Sequence, residues 1–377
     1  MAVFKGAQRA QAMGGLDPQV AYESLREGLG LSVVHDCRPE EVAPFRRADI
    51  PPDVYFYKYS AIGGDTSYRT HCITLRDKNT DSFIGFCGAS PVRAQRQFKP
   101  MVAYWTCDLF VVPEYRGKRL ADLLYSEVEE SKPLLMGLGT SDLAYPIKLR
   151  RSWQPSHELE VYFYRLRAQR LKQIPRKLYC YFKQNFSLNN PDHEYLYRMA
   201  DRLELSRVDE LWDASREDYP NIVIRDADYI AWRYLKTPCA AKYRFITATS
   251  NVDGSYKALI VVSVLDNNLQ IVDYLGPRNN KKVKTRLLTE ALRMFPNVDS
   301  IRCMTSCPSL KSCLESFGFY RYKRRPRFTL LSSDGDSQQI ANNWFVMMGD
   351  SDGEHIESMA SYQDAARKAK GDQRSSV

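Results

Sequence analysis

Apolar and polar positions switch period sharply between residues 104 and 125. Tyr104 to Val112 is a continuous apolar run rich in β-branched and aromatic residues, the mark of a buried strand. Pro113 ends it, Glu114 and Tyr115 turn the chain, and Leu120, Leu123, Leu124 and Val128 then repeat at helical spacing. Between strand and helix lies Arg116-Gly117-Lys118-Arg119. A basic turn there opposes the helix dipole unless an anion, most often a phosphate, is bound to the free amides of the first turn.

Around this centre the pattern predicts a short strand at Leu31 to His35 and a helix from Arg38 to Arg47. An aromatic run at Val54 to Tyr59 and a loop at Gly63-Gly64-Asp65 follow. Strands are expected at Thr70 to Leu75, Phe83 to Val92 and Leu134 to Leu138, and a hairpin at Val161 to Leu166. A helix opening at Pro191-Asp192 and running to about Arg202, a strand at Leu205 to Val208, and helices at Glu210 to Arg216 and Asp226 to Tyr234 begin the second half. Tyr243 to Thr249, Ala258 to Leu265 and Leu269 to Leu275 read as antiparallel strands, then helix 282–295, strand 300–304, helix 309–317 closed by Gly318, and strands 327–331 and 343–348. This order gives an α+β fold of mixed layers.

The two halves repeat a plan. Cys107-Asp108-Leu109-Phe110-Val111-Val112-Pro113 is echoed by Val272-Asp273-Tyr274-Leu275-Gly276-Pro277, each followed by basic residues and a Leu-Leu helix. The second copy has Arg278-Asn279-Asn280-Lys281-Lys282 in place of the Arg-Gly turn. The division expected is a leader over 1–30, domains over 31–190 and 191–348, and a polar tail over 349–377.

Composition narrows the chemistry. The chain of 377 residues carries a net charge of +9, which suits a polyphosphate cofactor or an acidic polymer. Nine scattered cysteines fit free thiols in a reducing compartment, with no zinc spacing, so no metal is expected and the cytoplasm is the default. The longest clean apolar run, Ala258 to Leu265, is too short to cross a membrane. Residues 161–186 hold seven Lys or Arg, seven Tyr or Phe and no acid. That mixture suits a nucleic-acid surface, or else a last hairpin and a helix joining two domains, which the placement of the aromatics favours.

The stretch Val111-Val112-Pro113-Glu114-Tyr115-Arg116-Gly117 and the following Lys118-Arg119-Leu120-Ala121 resemble the GNAT N-acetyltransferase superfamily, in tandem form. The match departs from the family at its central glycine, here Arg119. The resemblance implies two GNAT-like domains, each a mostly antiparallel central sheet flanked by helices. It implies acetyl-CoA, or another acyl-CoA, held by Arg116, Gly117, Lys118, Arg119, Leu120 and Ala121 and by the backbone of Leu109, Phe110, Val111 and Val112. The expected reaction is acetyl transfer to a primary amine of a small molecule or amino sugar. An acyl or aminoacyl transfer involving nucleic acid, and a non-catalytic binding protein, are the alternatives. The family's tyrosine acid falls by spacing on Lys148, so it does not carry over, and Tyr145, three residues earlier, is the substitute candidate. A carboxylate inside an apolar strand is costly unless used, which makes Asp108 the candidate base. The ending Trp344 to Asp352 is similar to tails of GNAT proteins from surface-polysaccharide clusters.

Overall fold

A computed structural model describes residues 18–35, 57, 71–165, 194–265, 267–323, 326–351 and 353–355. The expected helix at 38–47, the loop at 63–65, residues 166–186 of the basic-aromatic stretch, the start at Pro191-Asp192 and most of the 54–59 run and of the tail lie outside them.

In chain order the first elements are α1 (Pro18–Gly28), β1 (Leu31–Val34), β2 (His71–Asp77), β3 (Phe83–Arg96) and β4 (Lys99–Val111). Helix α2 (Leu120–Ser131), β5 (Leu134–Leu138), α3 (Ala144–Arg150), β6 (Gln154–Ser156) and β7 (Glu160–Arg165) follow. Then come β8 (Tyr195–Ala200), α4 (Leu205–Ser215), β9 (Asn221–Val223), α5 (Ala227–Ile230), β10 (Tyr243–Ser250), β11 (Tyr256–Leu265) and β12 (Asn268–Leu275). The chain continues through α6 (Lys281–Met294), β13 (Ser300–Thr305), α7 (Pro308–Ser316), β14 (Tyr320–Arg321), β15 (Phe328–Ser332), α8 (Ser337–Asn343) and β16 (Trp344–Phe345).

These elements form two compact units that interleave in sequence: 1–156 with 236–239 and 328–342, and the remainder. The first unit's sheet runs β1-β2-β3-β4-β5-β15-β6. All pairs are antiparallel except β4 with β5. Its core joins Tyr22 of α1, Ile73, Leu75, Ile84 and Ala89 of the sheet, Trp153, and the α2 stripe. Leu120, Leu123, Leu124 and Val128 are each at most 2% exposed, as the spacing requires. Full burial of one such side chain contributes about 2 kcal/mol.

The second unit repeats the plan in the order β14-β7-β13-β12-β11-β10-β8, again with one parallel pair along it, β12 with β13, while β9 and β16 pair in parallel outside that order. Three expectations are corrected here. Residues 195–200, read as helix, form a strand on β10. Leu205 to Val208, read as a strand, opens α4, where Val208, Leu211, Trp212 and Ser215 make one buried face. Residues 343–348, read as one strand, hold only the two-residue β16, preceded by α8. Edge pairing on β10 overrode the local pattern at 195–200, and a buried helical face did so at 205–208.

Candidate active site

The first unit's one parallel contact is short. β4 and β5 pair only at Tyr104 with Leu135 and Trp105 with Met136. Beyond Trp105, β4 continues six residues to Val111 on its other partner, β3, so the sheet opens into a wedge at Thr106 and Gly137. Asp108 stands just inside that opening. The register between β3 and β4 shifts here, with Cys107 opposite Gly88 and Phe110 opposite Phe86, so Asp108 and Leu109 face a single residue. Asp108 takes the left-handed conformation, φ 55°. A bulge with a left-handed residue turns the strand and re-aims its groups, and non-glycine strain of this kind gathers at functional sites. The Asp108 side chain is half-buried.

Past the bulge the strand alternates normally. The Val112 amide donates to Ile84 O at 2.8 Å, so the amides of Val112 and Phe110 face β3. Those of Leu109 and Val111 therefore point the other way, into the wedge. The Val111 carbonyl confirms the direction by accepting from Arg116 Nε at 3.0 Å.

The turn after β4 supplies the second half of the site. Gly117 and Arg119 are both left-handed, with φ 83° and 61°. A chain that alternates in this way gathers its amides into a concavity for an anion. Among the described residues, the amides of residues 117 to 121 have no backbone acceptor. Arg119 is the N-cap of α2 and gives no side-chain cap. Its guanidinium is half-exposed and lies 3.8 Å from Asp122. Arg116 and Lys118 lie exposed on Phe110 and Tyr115, with the Lys118 ammonium 4.5 Å from the ring centre. No heavy atom lies within 4 Å of where a Cβ would stand on Gly117. Residues 116–121 thus fit a pyrophosphate.

The side chain at the tyrosine position is a surprise of the fold. Lys148 of α3 is 2% exposed, and its ammonium donates to Thr106 Oγ1 at 2.8 Å. Thr106 in turn donates to Met136 O at 3.0 Å. A Cβ on Gly137 would stand 2.1 Å from Lys148 Nζ, so the amine lies against β5 at the apex of the wedge. Its ammonium is 4.0 Å from the Trp153 ring centre and 5.5 Å from that of Tyr125. Burial lowers its pKa to about 8, against the opposing pull of Cys87, Cys107 and Glu129. Tyr145 is on the same short helix and half-buried. Only the tyrosine pattern laid by spacing on Lys148 could have drawn notice to this position, and the residue type hid it.

The second unit has the same frame, closed. β12 and β13 stop pairing after Ile271 and Cys303, and the β11–β12 register shifts beside Asp273. Residues 344–350 occupy that opening: the Gly349 amide donates to Val272 O at 2.7 Å, and Met347 bridges Thr305. Asp273, 1% exposed, accepts from Arg225 Nε at 2.9 Å and Tyr234 Oη at 2.8 Å. Asp350 binds the other end of the same buried Arg225, at 2.8 Å. The following turn is also self-satisfied. Asn280 caps the Val283 amide of α6, and Lys284 Nζ donates to the carbonyls of Pro277 and Arg278. Where the first turn presents amides, the second presents carbonyls already bound to a cation.

Among the described residues, no cluster could hold a metal ion and no helix is long and apolar enough to cross a membrane. No family model and no curated protein matches the sequence. Solved structures do. Saccharomyces cerevisiae N-myristoyltransferase with bound myristoyl-CoA aligns at TM-score 0.51 and 14% identity, over 80% of this chain and 82% of that one. A conserved protein from Enterococcus faecalis V583, a probable N-acyltransferase, aligns at TM-score 0.57 and 11% identity, over 81% and 74%. With two units of the same plan, the chain shares its fold with these two structures.

Proposed function

We propose that the chain is an acyl-CoA-dependent N-acyltransferase, with acetyl-CoA as donor and a small-molecule amine or amino sugar as acceptor, and that the first unit is its catalytic half. The observation that carries this reading is the coincidence, within residues 105–121 of one strand and turn, of a parted parallel pair, a left-handed bulge and an unfilled amide concavity. The amides of residues 117 to 121, with Arg116 and Lys118, hold the pyrophosphate. The wedge takes the thioester arm, and the inward amides of Leu109 and Val111 polarise its carbonyl. Asp108, at the bulge, accepts the proton released by the acceptor ammonium. The closed second opening and carbonyl-filled second turn leave that unit to shape the acceptor side. The fold relatives support the reading, since the yeast enzyme carries myristoyl-CoA.

Calorimetric titration tests it. Acetyl-CoA is expected to bind at micromolar strength and Arg116→Glu to abolish binding, while free acetate gives no heat. Absence of binding by acetyl-CoA and by a long-chain acyl-CoA alike overturns the reading.

A further inference from the structure

We propose that Lys148 is the group that protonates the coenzyme A sulfur as the thioester breaks. The inference rests on the acyltransferase reading of the same site and deepens it. Its basis is position. Thr106 and Gly137 are the first residues of β4 and β5 past their last pair, and Lys148 Nζ lies between them, bound to Thr106 Oγ1 and pressed on the Gly137 backbone. A thioester arm running down the wedge past Asp108 ends at that amine.

The surroundings suit a proton donor. Among the described residues, Lys148 hydrogen-bonds the side-chain oxygen of Thr106 and lies against two aromatic faces, Trp153 and Tyr125, while Glu129 of α2, which pulls on it, is itself held by Arg151 and Trp153. The other titratable groups facing it are Cys87 of β3 and Cys107 of β4, both beside the bulge. Burial pushes the Cys87 thiol up to about 12, so it stays neutral. Among the described residues, no carboxylate pairs with the ammonium. With a pKa near 8, it matches a thiol leaving group of about 8.5, where proton transfer is most efficient.

The step balances. The acceptor ammonium first loses a proton through Asp108 to water. Its nitrogen, now neutral, bonds to the acyl carbon and yields a second proton to Asp108, which releases it to water. The carbon–sulfur bond breaks with its electron pair on sulfur. One Nζ–H proton passes to that sulfur, giving amide and free coenzyme A thiol, and the neutral Lys148 amine is reprotonated from water.

The test uses the full chain, acetyl-CoA, and hydroxylamine as surrogate acceptor, with thiol release and acetyl-CoA affinity measured separately. Lys148→Met is expected to keep Kd within threefold, to lower kcat by roughly 10²–10⁴-fold, and to lose the fall in kcat that the wild type shows above about pH 8. Lys148→Arg, charged but unable to give up a proton, is expected to stay as slow. Methylamine is expected to restore part of the rate of Lys148→Ala. Unchanged kcat in Lys148→Met, an unmoved basic limb, full activity of Lys148→Arg, or no amine rescue overturns the role of Lys148 while leaving the reading of the site intact. Failure of the wild type to bind acetyl-CoA overturns both.

Discussion

Arg119 enters the turn in the left-handed conformation with its side chain directed to Asp122: φ is 61°, and the guanidinium sits 3.8 Å from that carboxylate. A residue other than glycine thus holds the left-handed conformation here, at a cost of roughly 1 kcal/mol. Arg119→Gly is expected to leave acetyl-CoA affinity within threefold and to preserve or slightly raise Tm. Arg119→Val, whose branched Cβ resists positive φ, is expected to weaken binding at least tenfold.

Asp108 is left-handed as well, and asparagine tolerates that region almost equally. Asp108→Asn should therefore keep the bulge, the fold and acetyl-CoA binding while lowering kcat by roughly 10²-fold or more through loss of the base. Circular dichroism, calorimetry and steady-state kinetics separate these quantities. A fully active Asp108→Asn would remove Asp108 from the mechanism.

The second opening is filled by residues 344–350, and its turn by Lys284. Titration is therefore expected to give one acyl-CoA per chain. A stoichiometry of two would contradict the assignment of a single donor site.

Arg151 and Glu129 form a buried two-bond pair, at 2.8 and 2.9 Å, with side chains 6% and 2% exposed. Tyr22 and Trp153 complete the cluster as partners of Arg151 and Glu129 respectively. Arg151→Met leaves a buried carboxylate without its cation and is expected to cost about 3–5 kcal/mol by urea unfolding. The double change Arg151→Met with Glu129→Leu should recover most of that loss.

Lys148 carries a cost to stability. Its pKa falls from the ordinary 10.5 to about 8 on folding. Below pH 8 folded and unfolded chains both hold the proton and the full penalty applies. Between about 8 and 10.5 the unfolded chain binds more protons, so stability rises with pH. The penalty is gone above that range. A shift of this size corresponds to about 3 kcal/mol. Lys148→Met is thus expected to raise Tm at pH 7, with the gain shrinking toward pH 10. A gain independent of pH would argue against a charged, buried Lys148.

Much of the frame was legible in the residues themselves. The period switch at Pro113 placed β4, the basic turn and the buried face of α2, and the echo of Asp108 in Asp273 announced two similar halves. These features are local, set by side-chain period, turn chemistry and the needs of a helix end. The sequence alone could not show that Asp108 lies at a bulge, because that depends on its pairing with β3. It could not place β15, from residues 328–332, in the sheet of residues 31–156, nor put β7 beside β13. Nor could it seat residues 344–350 in the second opening. The same limit hid Lys148: a lysine in a short helix reads as solvated, and only the folded sheet carries its amine to the apex of the wedge. Patterns of period and composition fix elements, whereas burial of a polar group is decided by what other segments leave around it.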